Sequence, residues 1–360
     1  MSRLVSGGRS RRPLVVDIIV VSVALMAAVG FAVTRPGGAV AATYTNPVIR
    51  TDFADPAVIR GSDGWYYAYS TEQLTVDRMA YIQVARSRDL LEWELLRDAL
   101  TRKPAWTRTT RDFWAPGIIE ADGRAYLYYA GWHDNGDGMC LGVAVADDPA
   151  GPFEPSDTPI HCDDGYVAID VFPYDDPTTG KRLLYWGSDG APIFARELAP
   201  DRISFMPGSE ATEVFDRNVY QPFESLIEAP WVIKRGEMYY LFVSAGNCCA
   251  RPAGYAVLVA RSTSATGPFE SRAQATDTWG ASVILRGNDV WEGPGHNAVV
   301  ADGAGQDWLI YHAIDPDDPF QPAVDAVKRP MLIDRISWVD GWPGIANDSP
   351  SSGPQPAPIP

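Results

Sequence analysis

The sequence contains few of the residues on which several large classes of proteins depend. It has four cysteines in 360 residues and no Cys-x-x-Cys pair, so a structural zinc site of the usual spacing is not expected. Lysine and arginine number 30 against 46 acidic residues, and the net charge of −16 repels a phosphate backbone, so no nucleic-acid partner is expected. With 46% hydrophobic and 21% charged residues, the composition fits neither a disordered chain nor a multi-span membrane protein. The 12 tryptophans and 16 tyrosines favour a β-rich globular fold.

The few cysteines leave their pairing open. Cys140 with Cys162 is one pair within the three complete connectivities that four cysteines allow. A disulfide between adjacent residues closes a strained ring. Cys248 and Cys249 are therefore predicted to be two small buried residues.

The N-terminal segment has the three parts of a secretory signal. Four arginines precede an uncharged apolar run at residues 18–33, and a small-residue site, Ala39-Val40-Ala41, follows. Residues 1–41 are predicted to be cleaved after Ala41, which makes the protein secreted and extracellular. The alternative is an uncleaved anchor, because the run is only just short of the ~17–25 residues that span a membrane; only that alternative would hold the protein at a membrane.

The rest of the chain repeats one pattern five times. An acidic or glycine-containing turn is followed by an aromatic or apolar run, and the copies are separated by 56 to 69 residues. A glycine turn between two β-rich runs predicts a hairpin. The five runs are marked by Trp65, Tyr126, Leu183, Tyr239 and Trp308.

A second phrase follows three of these hairpins, at residues 87–93, 147–153 and 263–269, and each copy comes after an apolar strand. Residues 87–100 alone have leucines at helical spacing, but the equivalent phrases contain Gly-Pro, which is incompatible with a helix interior. Each unit thus holds about four short strands, and five such units predict an all-β, five-bladed β-propeller over residues 42–345. Residues 346–360 are proline-rich and are predicted to be a disordered, solvated tail.

Carboxylates stand just before several of the predicted hairpins. Asp55, Asp170 and Glu228 each lie in a mostly apolar segment close to a proline, and Trp114 occupies the corresponding place in the second repeat. The inner ends of propeller blades meet around one axis, so these side chains are predicted to converge on one pit. Glu228 is flanked by isoleucine and alanine, which predicts a raised pKa and the role of a general acid.

Six phrases in order resemble glycoside hydrolase family 43, from about Tyr44 to Gly344. They are Asn46-Pro47 with Asp55-Pro56, Trp114-Ala115-Pro116, Ile169-Asp170, Glu228-Ala229-Pro230, Gly293-Pro294-Gly295-His296-Asn297, and Trp338 with Gly341-Trp342-Pro343. The resemblance implies a five-bladed propeller in which Asp55 is the general base, Glu228 the general acid, and Asp170 the residue that orients the acid and tunes its pKa. It also implies inversion of anomeric configuration, for which the two reacting carboxyl groups are expected to lie roughly 6.5–9.5 Å apart.

The resemblance adds three further expectations. His296 matches a position at the central channel near a bound calcium or other cation, although one histidine is a poor calcium ligand and water would have to supply most of the oxygens. Arg329 resembles a substrate-contacting arginine on the last blade, and Trp114 is expected to form an apolar wall against the sugar. His312 follows a strand pattern and is expected to be packed.

The implied substrate is a plant polysaccharide or oligosaccharide, and the adjacent cysteines favour arabinan, with endo and exo action both open. A β-xylosidase or an arabinoxylan arabinofuranohydrolase is the alternative within the family. A propeller that binds sugar without cleaving it is the alternative of another class, but it has no need for a buried acid opposite a base. A monomer is expected.

Overall fold

The computed structural model describes residues 42–74, 79–107, 112–136, 138–322 and 326–360. The predicted signal, residues 1–41, lies outside these ranges. Along the described ranges, no helix has both the length and the apolar character needed to cross a membrane.

Almost all regular structure is antiparallel β-sheet, arranged in consecutive blades. The chain enters through β1 (Thr43–Tyr44). The first blade runs through β2 (Ala57–Arg60), β3 (Tyr66–Ser70), the small added hairpin β4 (Gln73–Leu74) and β5 (Met79–Ala80), then β6 (Gln83–Ser87) and β7 (Trp93–Leu95). A 3-10 turn, Ala105–Thr107, leads to the second blade: β8 (Trp114–Ala121), β9 (Arg124–Trp132), β10 (Met139–Ala146), β11 (Glu154–Pro155) and β12 (His161–Cys162).

The remaining blades follow in the same order. The third blade comprises β13 (Phe172–Asp175), β14 (Arg182–Trp186), β15 (Ile193–Glu197) and β16 (Thr212–Phe215). The fourth comprises β17 (Ile227–Arg235), β18 (Met238–Asn247), β19 (Gly254–Ser262), β20 (Glu270–Ser271), the short helix α1 (Arg272–Thr276) and β21 (Val283–Arg286). The fifth comprises β22 (Glu292–Ala301), β23 (Asp307–Ile314) and β24 (Met331–Arg335). A hairpin of β25 (Ser337–Val339) and β26 (Trp342–Gly344), a 3-10 turn at Ala346–Asp348 and β27 (Gln355–Pro356) complete the chain.

The first strands of the blades form a closed ring. Contacts run from β2 to β8, from β8 to β13, from β13 to β17, from β17 to β22 and from β22 back to β2. The aromatic runs found in the sequence form the second strand of every blade, and residues 87–100 contain the strand β7 rather than a helix. The predicted five-bladed β-propeller is therefore confirmed, although the fifth blade has three strands among the described residues instead of about four.

The aromatic runs also join neighbouring blades. The hydroxyl of Tyr69 in blade one donates to the carbonyl of Pro149 in blade two, and the Tyr185 hydroxyl in blade three donates at 2.5 Å to the carbonyl of Ala265 in blade four. Both acceptors lie in the second repeated phrase, whose turns form at residues 147–153 and 263–269. At both of these blade contacts, the aromatic second strand of one blade therefore packs against the repeated turn of the next blade.

Two expectations about the ends and the cysteines need correction. Residues 346–360 were expected to be a solvated tail, but β27 pairs with β1, so Thr43 faces Pro356 and Tyr44 faces Gln355. The prediction rested on the lack of an apolar period in this segment. Backbone hydrogen bonds nevertheless hold the segment in place. Cys140 and Cys162 are joined between β10 and β12, while Cys248 and Cys249, expected to be two buried residues, form a disulfide at the tip of the β18–β19 hairpin, where Cys249 is exposed.

Candidate active site

Each blade begins with one residue in the left-handed conformation, and this repeated feature positions the site. The residues are Asp55, Ala115, Asp170, Ala229 and His296, with φ of 56°, 47°, 60°, 53° and 53°. In every blade the regular pairing of the first strand with the second is in place two residues later. Non-glycine residues adopt this conformation rarely, and such irregularities re-aim side chains out of the strand alternation.

A cavity of about 280 Å³ lies at these strand starts. All six side chains that the sequence singled out line it: Asp55, Trp114, Asp170, Glu228, His296 and Arg329. Thr71, Ala115, Ile169, Cys248 and Cys249 complete the lining. The fold therefore brings together residues that are up to 274 positions apart in the chain.

Asp55 is held by charged and polar neighbours from its own blade and from blade five. Nη1 of Arg329 donates to Oδ1 at 2.9 Å, and the Thr71 hydroxyl donates to Oδ2 at 2.5 Å. Nδ1 of His296 lies 3.4 Å from Oδ1. The backbone N–H of Asp55 donates to Nδ1 of His312 at 3.1 Å, which places the proton of a neutral His312 on Nε2.

These neighbours keep Asp55 ionised. Burial alone raises the pKa of the Asp55 carboxyl, but Arg329, His296 and His312 outweigh it and hold the pKa well below its usual range. Burial lowers the pKa of His296 to about 4 against the attraction of Asp55, so its imidazole is neutral near pH 7. Arg329 is therefore the charge that matters for Asp55 at neutral pH.

Glu228 has the opposite character. Its two carboxyl oxygens accept hydrogen bonds of 2.6 Å each, from the Ser188 hydroxyl and from the Tyr255 hydroxyl. Burial raises the pKa of Glu228, and the two hydroxyl groups act against that rise without cancelling it. The raised pKa agrees with the expectation drawn from its apolar flanking residues.

Asp170 acts on the segment that carries Glu228. Its Oδ2 accepts the backbone N–H of Ala229, the residue after Glu228, at 3.0 Å. Burial, and then repulsion from Glu228 and from Asp55, raise the pKa of Asp170 well above its usual range. The Asp170–Glu228 pair therefore titrates as a unit, and its carboxyls stay protonated to a higher pH than carboxyls in water do.

A further set of hydrogen bonds joins the strand starts of blades four and five. The Ser244 hydroxyl accepts the N–H of His296 at 2.7 Å and donates to Oδ1 of Asn297 at 2.8 Å. Nδ2 of Asn297 donates to the carbonyl of Ala229 at 3.3 Å. The backbone on either side of the cavity is thereby fixed by groups that do not line it.

A glycine makes room for one hydrogen-bond donor. A Cβ on Gly295 would come within 2.1 Å of the ring of Tyr255, whose hydroxyl reaches Glu228. The sequence showed Gly295 only as part of a Gly-Pro-Gly-His turn. Its bare backbone is needed because the Tyr255 ring packs directly against it.

Trp114 forms one wall of the cavity and is supported from outside. Its ring stacks on Tyr166, with centroids 5.8 Å apart and planes 11° from parallel, and Tyr166 is 44% exposed. Trp114 also lines an adjoining cavity of about 500 Å³, together with Thr71, Cys249 and Arg329. The two cavities therefore adjoin each other along Thr71, Trp114, Cys249 and Arg329.

Sequence reasoning missed several side chains that define the chemistry. Thr71, Ser188 and Tyr255 donate to Asp55 and Glu228, yet they lie outside the strand starts that the sequence repeat marks. His312 is fully buried, as expected, and in addition contacts Asp55.

Comparison with known proteins agrees with this geometry. A family model described as glycosyl hydrolases family 43 matches residues 44–343. The chain belongs to glycoside hydrolase family 43.

Two curated relatives of this glycoside hydrolase illustrate the range of named activities. It is 26% identical over 323 residues to the extracellular exo-α-(1→5)-L-arabinofuranosidase of Cellvibrio japonicus. The aligned region covers 82% of this chain and 87% of the relative. It is 30% identical over 310 residues to a probable arabinan endo-1,5-α-L-arabinosidase A of Aspergillus clavatus, covering 81% and 90%. A solved structure of a Cellvibrio cellulosa α-L-arabinanase complexed with arabinohexaose matches with a TM-score of 0.67 at 25% identity, covering 82% of this chain and 95% of that one.

The family 43 resemblance also implied a calcium or other cation at His296. Among the described residues, no three His, Cys, Asp or Glu side chains are placed to hold a metal ion. Oδ1 of Asp55 already accepts from Arg329, and Nε2 of His312 carries that ring's proton and cannot be a ligand. Calcium takes six to eight oxygen ligands, which these side chains do not supply. The cation stays a prediction, and the chemistry below uses protein groups and water.

Proposed function

We propose that this glycoside hydrolase is a secreted, inverting enzyme that cleaves α-L-arabinofuranosyl linkages in arabinan. The observation that carries the proposal is the contrast within one cavity between Asp55, held ionised by Arg329, and Glu228, whose pKa is raised by burial. A non-catalytic sugar-binding propeller has no use for that contrast. The named activities of the two curated relatives support arabinan as the substrate.

The proposed reaction is a single displacement. Glu228 donates its proton to the glycosidic oxygen as the bond to the anomeric carbon breaks, and Asp55 takes a proton from the water that attacks the opposite face of the sugar. Asp170 positions Glu228 through the N–H of Ala229, and the charge of Asp55 adds to burial in favouring the protonated form of Glu228. Inversion follows because water, and not a carboxylate, attacks the anomeric carbon.

The space around the carboxylates bears on endo and exo action. A cavity of about 280 Å³ adjoins one of about 500 Å³, and Trp114 and Cys249 line both. A chain that occupies both spaces places several sugars on one side of the scissile bond. We therefore favour cleavage of oligomeric and polymeric arabinan over cleavage of isolated arabinofuranosyl side groups.

Export is the remaining part of the proposal. The signal-like pattern of residues 1–41 supports it, and the Cellvibrio japonicus relative is named as extracellular. Expression of the full chain with a C-terminal reporter, followed by determination of the N-terminus of the product in the medium, tests cleavage after Ala41. A product retained with residues 1–41 intact would favour the anchor.

The function is tested by product analysis. Residues 42–360 are incubated with linear α-1,5-arabinan, and the products are separated by chromatography while proton NMR follows the anomeric configuration. The Glu228→Gln variant is expected to lose cleavage by orders of magnitude while its affinity for arabino-oligosaccharides changes only a few fold. Glu224→Gln is the matched control, because Glu224 is also buried, with a pKa raised to about 7, but does not line the cavity.

The outcomes separate the alternatives. Oligosaccharides as first products indicate endo action, and arabinose alone indicates exo action. Products from arabinoxylan or xylo-oligosaccharides, with none from arabinan, would move the assignment to an arabinofuranohydrolase or a β-xylosidase. Equal cleavage by Glu228→Gln and the parent would contradict the assigned acid, and no cleavage of any of these substrates would favour the sugar-binding alternative.

A further inference from the structure

The disulfide between adjacent cysteines lies in the active site. Cys248 and Cys249 both line the catalytic cavity, and Cys249 also lines the adjoining cavity of about 500 Å³. Cys249 is exposed, so its sulfur is open to a ligand. The proposed mechanism uses neither sulfur.

The hairpin tip that carries the disulfide is fastened at several points. Nδ2 of Asn247 donates to the carbonyl of Ala250 at 3.1 Å, and Oδ1 of Asn247 accepts the N–H of Cys249 at 3.4 Å. Arg251 forms an ion pair of 2.9 Å with Glu292 at the start of the fifth blade. The sulfurs are thereby held in a fixed place at the junction of the two cavities.

The disulfide also touches the charged partner of the general base. Sγ of Cys249 lies 3.4 Å from Nη1 of Arg329, and the same nitrogen donates to Oδ1 of Asp55 at 2.9 Å. A disulfide cannot ionise and donates no hydrogen bond. A thiolate in the same place would attract the guanidinium, and a neighbouring arginine favours thiolate formation by lowering the thiol pKa.

We infer that the Cys248–Cys249 disulfide is a substrate-contacting wall that faces the sugar at the junction of the two cavities and keeps a competing charge away from Arg329. The inference rests on the proposed cleavage of arabinan. Thr71, Trp114 and Cys249 are the three uncharged residues that line both cavities, so a sugar at the junction meets the indole and the Cys249 sulfur. The disulfide is a positioning and specificity element, and its oxidised state is part of the active form.

Reduction tests the inference. Dithiothreitol breaks the Cys248–Cys249 bond by two thiol–disulfide exchanges, supplies two electrons and two protons to give two thiols, and becomes a cyclic disulfide itself. The reduced enzyme is expected to show a KM for α-1,5-arabino-oligosaccharides about tenfold higher, as for the loss of one or two apolar contacts to a bound sugar. The loss of kcat/KM is expected to grow as the pH rises, because the thiolate fraction beside Arg329 grows with it.

Variants separate this effect from unfolding and from the other disulfide. Cys248→Ser with Cys249→Ser is expected to raise KM equally at all pH values, since serine does not ionise, and to be insensitive to dithiothreitol. Cys140→Ser with Cys162→Ser removes the other disulfide, which joins β10 and β12 and does not line the cavity, and is expected to keep the response to reductant. Circular dichroism and alkylation followed by mass spectrometry verify folding and the thiols formed.

Two results would overturn the inference while leaving the proposed function intact. One is an unchanged KM in the reduced parent, with free thiols verified at positions 248 and 249. The other is an unchanged KM in the folded serine variant. If the parent cleaves no arabinan, the proposed function fails by itself. Calorimetric titration of Glu228→Gln with arabinohexaose, before and after reduction, then decides the inference separately: weaker binding after reduction supports it, and equal binding contradicts it.

Discussion

Glu224 and Glu228 lie four residues apart, are both buried and both have raised pKa values, yet only Glu228 lines the cavity. A perturbed carboxyl is therefore not by itself a catalytic group. What distinguishes Glu228 is its set of partners. It accepts two hydroxyl hydrogen bonds and lies beside Asp170, which together tune its proton affinity.

The hydroxyl partners of Glu228 predict a shift in the pH profile. The O–H groups of Tyr255 and Ser188 stabilise the ionised carboxylate and so lower its pKa. Tyr255→Phe and Ser188→Ala each remove one such bond, so the pKa of Glu228 is expected to rise and the alkaline limb of kcat/KM to move to higher pH. The profile with a short arabino-oligosaccharide checks this, with Tyr239→Phe as a control hydroxyl outside the cavity, bonded to Asp176. A shift to lower pH in either cavity variant would contradict the assigned role.

The raised pKa of Glu228 also predicts a cost in stability. A carboxyl whose folded pKa lies above its unfolded value of about 4.3 makes folding less favourable as the pH rises between the two values. Glu228→Gln does not titrate, so its melting temperature is expected to exceed that of the parent by a margin that is small at acid pH and grows toward neutral pH. Thermal unfolding at several pH values measures the margin. A constant margin would mean that the folded pKa of Glu228 is ordinary.

The sequence could predict the carboxylates, Arg329 and His296, but not the hydroxyl groups that bond to Glu228. Asp55, Asp170 and Glu228 lie at equivalent blade starts, where a repeat makes them visible. Tyr255 and Ser188 reach Glu228 from positions without a repeated counterpart, and Gly295 admits the Tyr255 ring through a contact that depends on tertiary packing. Residue identity along the chain carries no signal of such contacts.

At the scale of elements, the left-handed residue at the start of each blade's first strand positions the side chains of the site. It lies two residues before regular pairing in all five blades, and in blades one, two, three and five it lines the cavity itself. The aromatic second strands could be read directly from the sequence, because a glycine turn and an apolar run mark each one. The left-handed residues could not, because alanine gives no hint of a positive φ, and aspartate and histidine adopt it more often than other residues but still in a minority of cases.

Substitution at Ala229 tests this positioning. With φ of 53°, Ala229 bears the strain of the left-handed region, which costs an L-residue roughly 1–2 kcal/mol and a β-branched residue more. Ala229→Gly is expected to keep the N–H bond to Asp170, cleavage within a few fold, and stability near that of the parent. Ala229→Val is expected to lower both stability and cleavage, as measured by urea unfolding and arabinan hydrolysis. Equal stability of the two variants would contradict a left-handed residue at this position.

At the scale of the whole molecule, the ring is closed by the N-terminal segment rather than by a fourth strand in blade five. Oδ1 of Asn46 accepts the N–H of Ile333 at 3.0 Å, and Nδ2 donates to the Ile333 carbonyl at 2.9 Å. The side-chain amide of Asn46 thus makes the two hydrogen bonds that the backbone of a neighbouring strand would make. Ile49 forms a bridge with Met331. Residues 46–49 thus occupy the edge of the last blade, and no local sequence pattern predicts this long-range pairing.

The C-terminal segment forms hydrogen bonds both to blade five and to the N-terminal segment that pairs with it. The N–H of Ile359 donates to Asp302 at 3.0 Å, the carbonyl of Ile359 accepts from Gly303 at 2.7 Å, and the Ser351 hydroxyl accepts from Nδ2 of Asn46 at 3.0 Å. Proline-rich composition suggested a free tail because it lacks an apolar period. The segment is held instead by backbone groups, which proline carbonyls still provide.

Removal of residues 350–360 is therefore expected to lower stability while leaving the chemistry unchanged. The truncated chain loses the β27–β1 pairing and the bonds to Asp302 and Gly303, and for a domain of this size each kcal/mol lost lowers Tm by about 2–4 °C. None of these residues lines the catalytic cavity, so kcat/KM measured well below Tm is expected to stay within about twofold, a change of at most ~0.4 kcal/mol. Ile359→Ala is the matched control, because it removes a side chain that is 57% exposed and keeps the backbone bonds. An unchanged Tm after truncation, or a loss in Ile359→Ala as large as in the truncated chain, would show that backbone pairing of the tail does not close the propeller.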